Sequence, residues 1–363
     1  GKGGESECTF APTTVNLGGG ERKVVTLDQA WADPQLWWPE DPHLYWVETE
    51  TVVDGQVVDL KRTRFGFREW DWTTDHLFRL NGVKRQMWGG INYGRTPQHF
   101  MERSATSGQN QFRYWKRGGW GDMTRRDVLN YFDETGMLVR SSGIFDGQHA
   151  NYGQTLVEPD PAAEPDAKGN RPQRPNKTLF SHWYPQLEAW IKAERNHPSI
   201  YIWSMENEIV YINCAVFHMN EVVEPAFTKA WKRIASVDPT RPAMVDGGNA
   251  LMDESLPVNG GHYTELYNAD FRDFPDAAYT RRHWYEGPPQ HGKWPMKPNA
   301  PIMKGEVFFA GGYDNAEFAT IGGEKCFIGI GQTVDARELW GQMLSEGWRW
   351  AEVSSWHFWT GFN

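Results

Sequence analysis

Two glutamates stand where apolar runs give out. The first is Glu208, closing Ile200-Tyr201-Ile202-Trp203-Ser204-Met205-Glu206-Asn207-Glu208; the apolar part reads as a buried strand and the acidic cluster begins at its end. The second is Glu306, in Pro301-Ile302-Met303-Lys304-Gly305-Glu306-Val307, where Gly305 leaves room beside the carboxylate. Two carboxyl groups in different environments can cleave a glycosidic bond. One, kept protonated near neutral pH, gives its proton to the leaving oxygen; the other, ionised, attacks the anomeric carbon. Where anomeric configuration is retained, the pair stands about 5–5.5 Å apart. A single strand-end glutamate has a commoner explanation, as a surface salt bridge or a partner of a helix N-terminus. Two of them, 98 residues apart and one preceded by Asn207, shift the balance towards chemistry.

The surrounding elements must bring these residues face to face. Residues 127–135 read as a helix with Val128, Leu129 and Phe132 on one side and Gly136 as its stop. Residues 183–196 form an amphipathic helix ended by His197-Pro198. Residues 224–236 form another, broken by Asp238-Pro239-Thr240-Arg241-Pro242. Strands read at 84–89, 137–139, 199–204, 243–246, 262–266, 302–307 and 351–356, with a helix over 337–346 before the last. This alternation predicts a parallel sheet covered by helices, an α/β fold. A doubly wound sheet and a closed (β/α)8 barrel both fit it. A strand count near eight, and no Gly-x-Gly-x-x-Gly after a first strand, favour the barrel. In a barrel, reactive groups lie at the C-terminal strand ends, and three βα units between Glu208 and Glu306 would set them across the mouth. Earlier residues are all-β: 44–49 alternate as a strand, Val52-Val53, Asp54-Gly55 and Val57-Val58 read as a hairpin, and 63–72 continue as strand. That stretch is too short for a complete two-sheet sandwich.

Composition narrows the partners. Acidic residues outnumber basic ones 47 to 37, a formal net charge of −10, which argues against nucleic acid. The 20 tryptophans invite two readings: most must be core, and several can line a cleft where sugars stack their C–H faces on rings. Cys8, Cys214 and Cys326 have neither metal-ligand spacing nor the look of a disulfide framework, although one bridge stays open. No apolar run is long enough to span a membrane, and no signal peptide stands at the start. Gly1 in place of Met suggests a processed, trimmed or partial chain. The compartment is left open, with a periplasmic or secreted location favoured. Asn176 heads one Asn-x-Thr sequon. Residues 158–175 read as a surface loop. Residues 281–294, with Arg281, Arg282, His283, Trp284, His291, Lys293 and Trp294, mix basic and aromatic groups just before the Glu306 strand. They read either as a contact for an anionic sugar, uronic or sulfated, or as a solvated loop with an aromatic anchor.

Arg195-Asn196-His197-Pro198-Ser199-Ile200-Tyr201-Ile202-Trp203-Ser204, followed by Asn207-Glu208, resembles the acid/base signature of glycoside hydrolase family 2. That family holds β-galactosidases, β-glucuronidases and β-mannosidases. The resemblance implies that Glu208 is the acid/base, that Asn207 contacts the sugar 2-hydroxyl and that Glu306, entered through Lys297-Pro298-Asn299-Ala300-Pro301, is the nucleophile. It extends outwards. Leu36-Trp37-Trp38-Pro39 through Pro42-His43-Leu44-Tyr45 resembles the family's immunoglobulin-like domain, and Phe65-Gly66-Phe67-Arg68-Glu69 its exit into the barrel. Phe78-Arg79-Leu80-Asn81-Gly82 through Gly90-Ile91-Asn92 resembles barrel strand one. The wider clan implies an Arg after strand two, matched by Arg113, and a Tyr on strand six touching the nucleophile, matched by Tyr263. It also implies an aromatic platform on strand eight, matched by Trp356, for which core packing is the alternative. Asn92 and His262 complete the expected substrate-binding set.

The departures are as informative. Glu206 stands where the family carries a small residue; it would either raise the acid/base pKa by like-charge repulsion or point away. Arg140-Ser141-Ser142-Gly143 replaces an acidic Asp-Glu-Ala-Asn stretch, and Tyr93-Gly94-Arg95 replaces a His-rich loop. The expected organisation is a partial immunoglobulin-like β-sandwich over residues 1–72 and a catalytic (β/α)8 TIM barrel over 73–363, cut short after strand eight. The expected activity is retaining, exo-acting hydrolysis of terminal β-linked sugars, β-galactosidase-like, on an oligosaccharide or polysaccharide end. Alternatives are a β-glucuronidase or hydrolase of sulfated glycans, an endo-acting relative, and a non-catalytic carbohydrate-binding barrel. No cofactor is required, a structural cation and a homo-oligomer are left open, and no membrane partner is expected.

Overall fold

The computed structural model describes residues 6–90, 96–115, 119–146, 155–214, 219–248, 250–262, 297, 299–307 and 354–358. Strands β1 (Tyr45–Val53) and β2 (Gln56–Phe65) form an antiparallel hairpin. Its turn residues, Asp54 and Gly55, both have positive φ (49° and 75°), the tight turn whose twist matches the strands it joins. A small antiparallel sheet follows, made of β3 (Trp70–Asp71), β4 (Arg79–Leu80) and β5 (Val83–Lys84).

The barrel then begins with β6 (Trp88–Gly90), β7 (Gln111–Trp115) and β8 (Leu138–Asp146). A short antiparallel pair, β9 (Val157–Pro159) and β10 (Gln173–Pro175), is inserted before β11 (Ile200–Asn207). The ring continues through β12 (Ala243–Asp246), β13 (Asn259–His262), β14 (Ile302–Val307) and β15 (Ser354–Phe358). The 8-stranded sheet runs β12-β11-β8-β7-β6-β15-β14-β13, which is chain order wrapped into a circle. All its ladders are parallel. The ends of that order lie side by side: a Cβ on Gly260 of β13 would sit 2.1 Å from the Val245 carbonyl oxygen of β12. The expected (β/α)8 barrel is the observed one.

Helices α1 (Pro97–Ser107), α2 (Arg125–Thr135), α3 (Lys177–Glu194) and α4 (Asn220–Val237) cover it. Thr124 and Asp127 cap α2 reciprocally, and Gly136 ends it at φ 81°. Asn176, the sequon residue, caps α3 by accepting from the Leu179 amide. Outward strand residues Val139, Phe145, Trp203 and Val245 pack with helix residues Phe132, Trp183, Phe227 and Ile234. A second cluster joins Trp37, Trp70, Phe78, Leu80 and Met87 to Leu138, Tyr201, Ile202, Met244 and Met303. These last five lie near the N-terminal ends of their strands, so the aromatic residues before β6 stopper that end. The mouth is therefore the C-terminal end.

Several elements differ from the sequence reading. Residues 84–89 are two pieces, because Lys84 belongs to the β4–β5 hairpin and β6 starts at Trp88. Likewise 63–72 breaks after Phe65 and resumes at Trp70. β13 starts at Asn259 through two glycines, which lack strand propensity but fit where Gly260 meets β12. Strand β7 was not among the strands read. Helices α3 and α4 run through Pro185 and Pro225, residues that sequence rules place at helix starts or breaks. The 158–175 insertion is anchored by β9 and β10 rather than being wholly a loop. The 337–346 helix lies outside the described residues.

Candidate active site

Strand β11 does not alternate simply along its length. Its pairing with β8 shifts between Ser204 and Glu206, and its pairing with β12 shifts between Ser204 and Asn207. Such a bulge resets which face the following side chains take. Gly143 on β8 permits it: a Cβ there would lie 2.7 Å from the Met205 carbonyl oxygen. After the bulge the Asn207 side chain faces the barrel interior, where its Oδ1 accepts from Arg113 Nη2 at 2.6 Å. Glu208 follows with φ 57°, in the left-handed region that few non-glycine residues occupy, and is 3% exposed. Its amide donates to the Asp246 carbonyl oxygen at 2.9 Å.

The Glu206 carboxylate is turned to backbone amides. Its Oε1 accepts from the Asp246 amide at 2.8 Å and its Oε2 from the Ile209 amide at 2.5 Å. The extra carboxylate thus binds backbone amides around Glu208.

Inside the barrel lies a charged lattice. Asp246 Oδ2 accepts from Arg113 Nη2 at 3.1 Å and Oδ1 from Arg140 Nη1 at 2.9 Å, while the Ser204 hydroxyl also donates to Oδ2. Arg113 Nε donates to the Ser142 hydroxyl at 3.2 Å, and Arg140 Nη2 to the Gly305 carbonyl oxygen at 3.0 Å. Both arginine side chains and that of Asp246 are fully buried. The lattice runs from Asn207, beside Glu208, through Arg113, Asp246 and Arg140 to Gly305, beside Glu306. Below it the buried Tyr201 hydroxyl donates to Gln111. Burial pushes that phenol up, against the pull of Arg140, so it stays a neutral donor.

The described site residues fall on five strands. Asn207 ends β11 and Glu208 follows it, and Glu306 is the penultimate residue of β14. His262, the last residue of β13, is aligned with Glu306, and Trp356 of β15 with Lys304. Arg113 was expected after strand two; it lies within β7, the second barrel strand, and its guanidinium reaches Asn207 and Asp246, the last residues of β11 and β12. Asn92, Tyr263 and residues 281–294 lie outside the described residues, as does Cys326. Asp246 escaped sequence reading, though an acid closing a predicted strand was a usable signal, as was Arg140 inside an apolar run. Cys8 and Cys214 are unbridged; burial, then Glu206 and Glu224, push the Cys214 thiol up, away from reactivity. Among the described residues no cluster of three His, Cys, Asp or Glu could hold a metal, and no helix is long and apolar enough to cross a membrane.

Fold and site together define a (β/α)8 barrel with acidic groups at the C-terminal ends of its strands, entered from a β-rich segment. The family model for glycosyl hydrolases family 2 matches residues 2–68, and that for the family's TIM barrel domain matches residues 125–306. The chain belongs to glycosyl hydrolases family 2. A Formosa agariphila protein with a provisional beta-glucuronidase name is 27% identical over 91% of this chain and 30% of its own length. A beta-galactosidase of Bifidobacterium adolescentis is 22% identical over 72% of this chain and 23% of its own. The chain thus spans less than a third of either relative. The solved structure of a family 2 beta-galacturonidase from Eisenbergiella tayi, bound to galacturonate, superposes with a TM-score of 0.60. It shares 19% identity and covers 92% of this chain and 53% of that one.

Proposed function

We propose that this chain is the catalytic core of a retaining exo-β-glycosidase, with Glu208 as acid/base and Glu306 as nucleophile. The observation that carries the proposal is the buried lattice from Asn207 to Gly305, which ties the strand ends bearing the two glutamates. Glu208 would protonate the departing oxygen while Glu306 attacks the anomeric carbon, forming a glycosyl-enzyme and releasing the aglycone. Glu208 would then deprotonate a water, whose attack frees the sugar and restores Glu306. Asn207, oriented by Arg113, would bind the sugar 2-hydroxyl, with His262 and Trp356 from neighbouring strands, and Asn92 and Tyr263, completing the pocket. The division at residue 72 belongs to the same reading, since β1 and β2 stand outside the barrel sheet.

A terminal β-linked uronic acid is the favoured substrate over a neutral galactoside. The support is what relatives are named for, a beta-glucuronidase and a beta-galacturonidase, together with the basic residues Arg281 and Arg282. The test is a panel of 4-nitrophenyl β-glucuronide, galacturonide, galactoside and mannoside with the full-length protein, the first-formed anomer being read by NMR. A β-anomer from a uronide, and loss of turnover in Glu306→Gln by at least about 10²-fold, is expected. An α-anomer first, or equal rates from wild type and Glu306→Gln, removes the mechanism; preference for galactoside removes only the uronide.

A further inference from the structure

We infer that Glu206 is a positioning residue: its buried carboxylate holds Glu208 in the left-handed turn from which a proton can reach the leaving oxygen. The inference rests on the acid/base reading of Glu208 and adds a residue to it.

Three observations carry it. First, Glu208 occupies φ 57°, a conformation that costs a side-chain-bearing residue free energy and persists only where surroundings impose it. Second, the bulge at Met205–Glu206 interrupts the β11–β12 ladder, and two amides beyond the break, those of Asp246 and Ile209, both donate to the Glu206 carboxylate, at 2.8 and 2.5 Å. Third, the Asp246 backbone is held through both its amide and its carbonyl. Its amide is bound by Glu206 and its carbonyl oxygen by the Glu208 amide at 2.9 Å. Glu206 therefore grips residue 209, just after the proton donor, and the residue whose backbone anchors the donor itself. Charge-assisted bonds from backbone N–H groups to a fully buried carboxylate are short and directional. No smaller side chain at 206 could span both amides.

Glu206→Gln keeps the volume but puts an NH2 against one of the two amides. The Glu208 turn should relax, which hurts proton donation more than nucleophilic attack. The diagnostic is leaving-group dependence of kcat/KM, which reports the glycosylation step. The test uses the full-length protein and aryl glycosides of whichever sugar the panel selects. Active sites are counted by trapping with an activated 2-deoxy-2-fluoro glycoside, so unfolded molecules drop out of the rates. For a 2,4-dinitrophenyl glycoside, which needs no acid, kcat/KM in Glu206→Gln should stay within about threefold of wild type. For the unactivated phenyl glycoside it should fall about 10²-fold, the scale of a misplaced general acid. Glu208→Ala, run alongside, should show the same pattern more steeply, with azide raising kcat on the dinitrophenyl substrate. Absence of that pattern in Glu208→Ala would overturn the acid/base reading itself. Its presence there, with Glu206→Gln depressing both substrates equally or neither, would overturn the role given to Glu206. Glu206→Asp, too short by a methylene to reach both amides, gives the same readout should Glu206→Gln not fold.

Discussion

Asp246 is the residue on which the barrel interior turns. It is the anion between two arginines that have no exposure to water, and both reach it within 3.1 Å. Taking such a charge away leaves two buried cations short of their counter-ion, a change that costs about 3–5 kcal/mol. Asp246→Asn should therefore lower the thermal midpoint on the order of 10 °C. Arg233→Ala, which breaks a half-exposed pair with Glu188, should cost less than about 1 kcal/mol. Calorimetry of the two variants beside the wild type checks this, and equal small shifts would refute a structural role for the lattice. Sequence alone exposed one side of the arrangement. Glu208 and Glu306 could be picked out because each follows an apolar run, and Arg140 could be marked as a charge inside one. Its pairing with Asp246 could not, because the two are 106 residues apart and only closure of the ring brings them together. The orientation of Glu206 was equally hidden, since it depends on a bulge that strict two-residue periodicity does not anticipate.

At the scale of elements, the turn between α4 and β12 shows how a short motif sets a strand's position. Asp238 accepts from the Thr240 amide and hydroxyl, from the Trp203 indole and from Arg241 Nη1, while Arg241 donates onward to the carbonyl oxygens of Ile200 and His197. The Asp-Pro-Thr-Arg-Pro turn thereby grips the start of β11 and fixes the depth at which Asn207 and Glu208 emerge. Burial by itself would raise the Asp238 carboxyl. The Arg241 charge and the bonds from Thr240, Trp203 and Arg241 outweigh burial and hold it below the ordinary aspartate value. A depressed folded-state pKa means that its stabilisation is fully present above the unfolded value, near pH 4, and is lost as pH falls below it. Wild type should thus lose stability below about pH 4 more steeply than Asp238→Asn, which should already be weaker at neutral pH; parallel acid limbs in denaturant titrations would refute this. This motif was readable because turn residues cluster and helix-breaking prolines flank it. Elements whose determinants are tertiary were not: β13 is glycine-rich because a neighbouring carbonyl leaves no space for a Cβ, and a strand scan passes over glycine. Strand β7 was missed for a related reason, since its inward residues include Gln111 and Arg113, polar groups whose partners lie on other strands.

At the scale of the whole chain, the segment before the barrel is built into it rather than strung from it. The Trp37 indole, fully buried, donates to the Asp133 carbonyl oxygen at 2.8 Å near the end of α2. Arg64 of β2 reaches Asn130 and Asp133 on the same helix, and Asp133 in turn accepts from His197 and Ser199 just ahead of β11. Gly136 meets Pro39 so closely that a Cβ would fall 1.8 Å from its carbonyl oxygen. With Trp70 and Phe78 stoppering the strand starts, the β-rich segment and the barrel share one apolar cluster, so they should unfold together. Trp37→Ala should remove about 3–5 kcal/mol and lower the melting temperature of the barrel itself. Trp46→Ala, on the exposed face of the β1–β2 hairpin, should change the isolated chain by no more than about 0.5 kcal/mol. Calorimetry with tryptophan fluorescence decides the matter. A single transition displaced by Trp37→Ala is expected, whereas an early transition of the β-rich segment, at lower temperature than an unchanged barrel transition, would show that the shared cluster does not couple them.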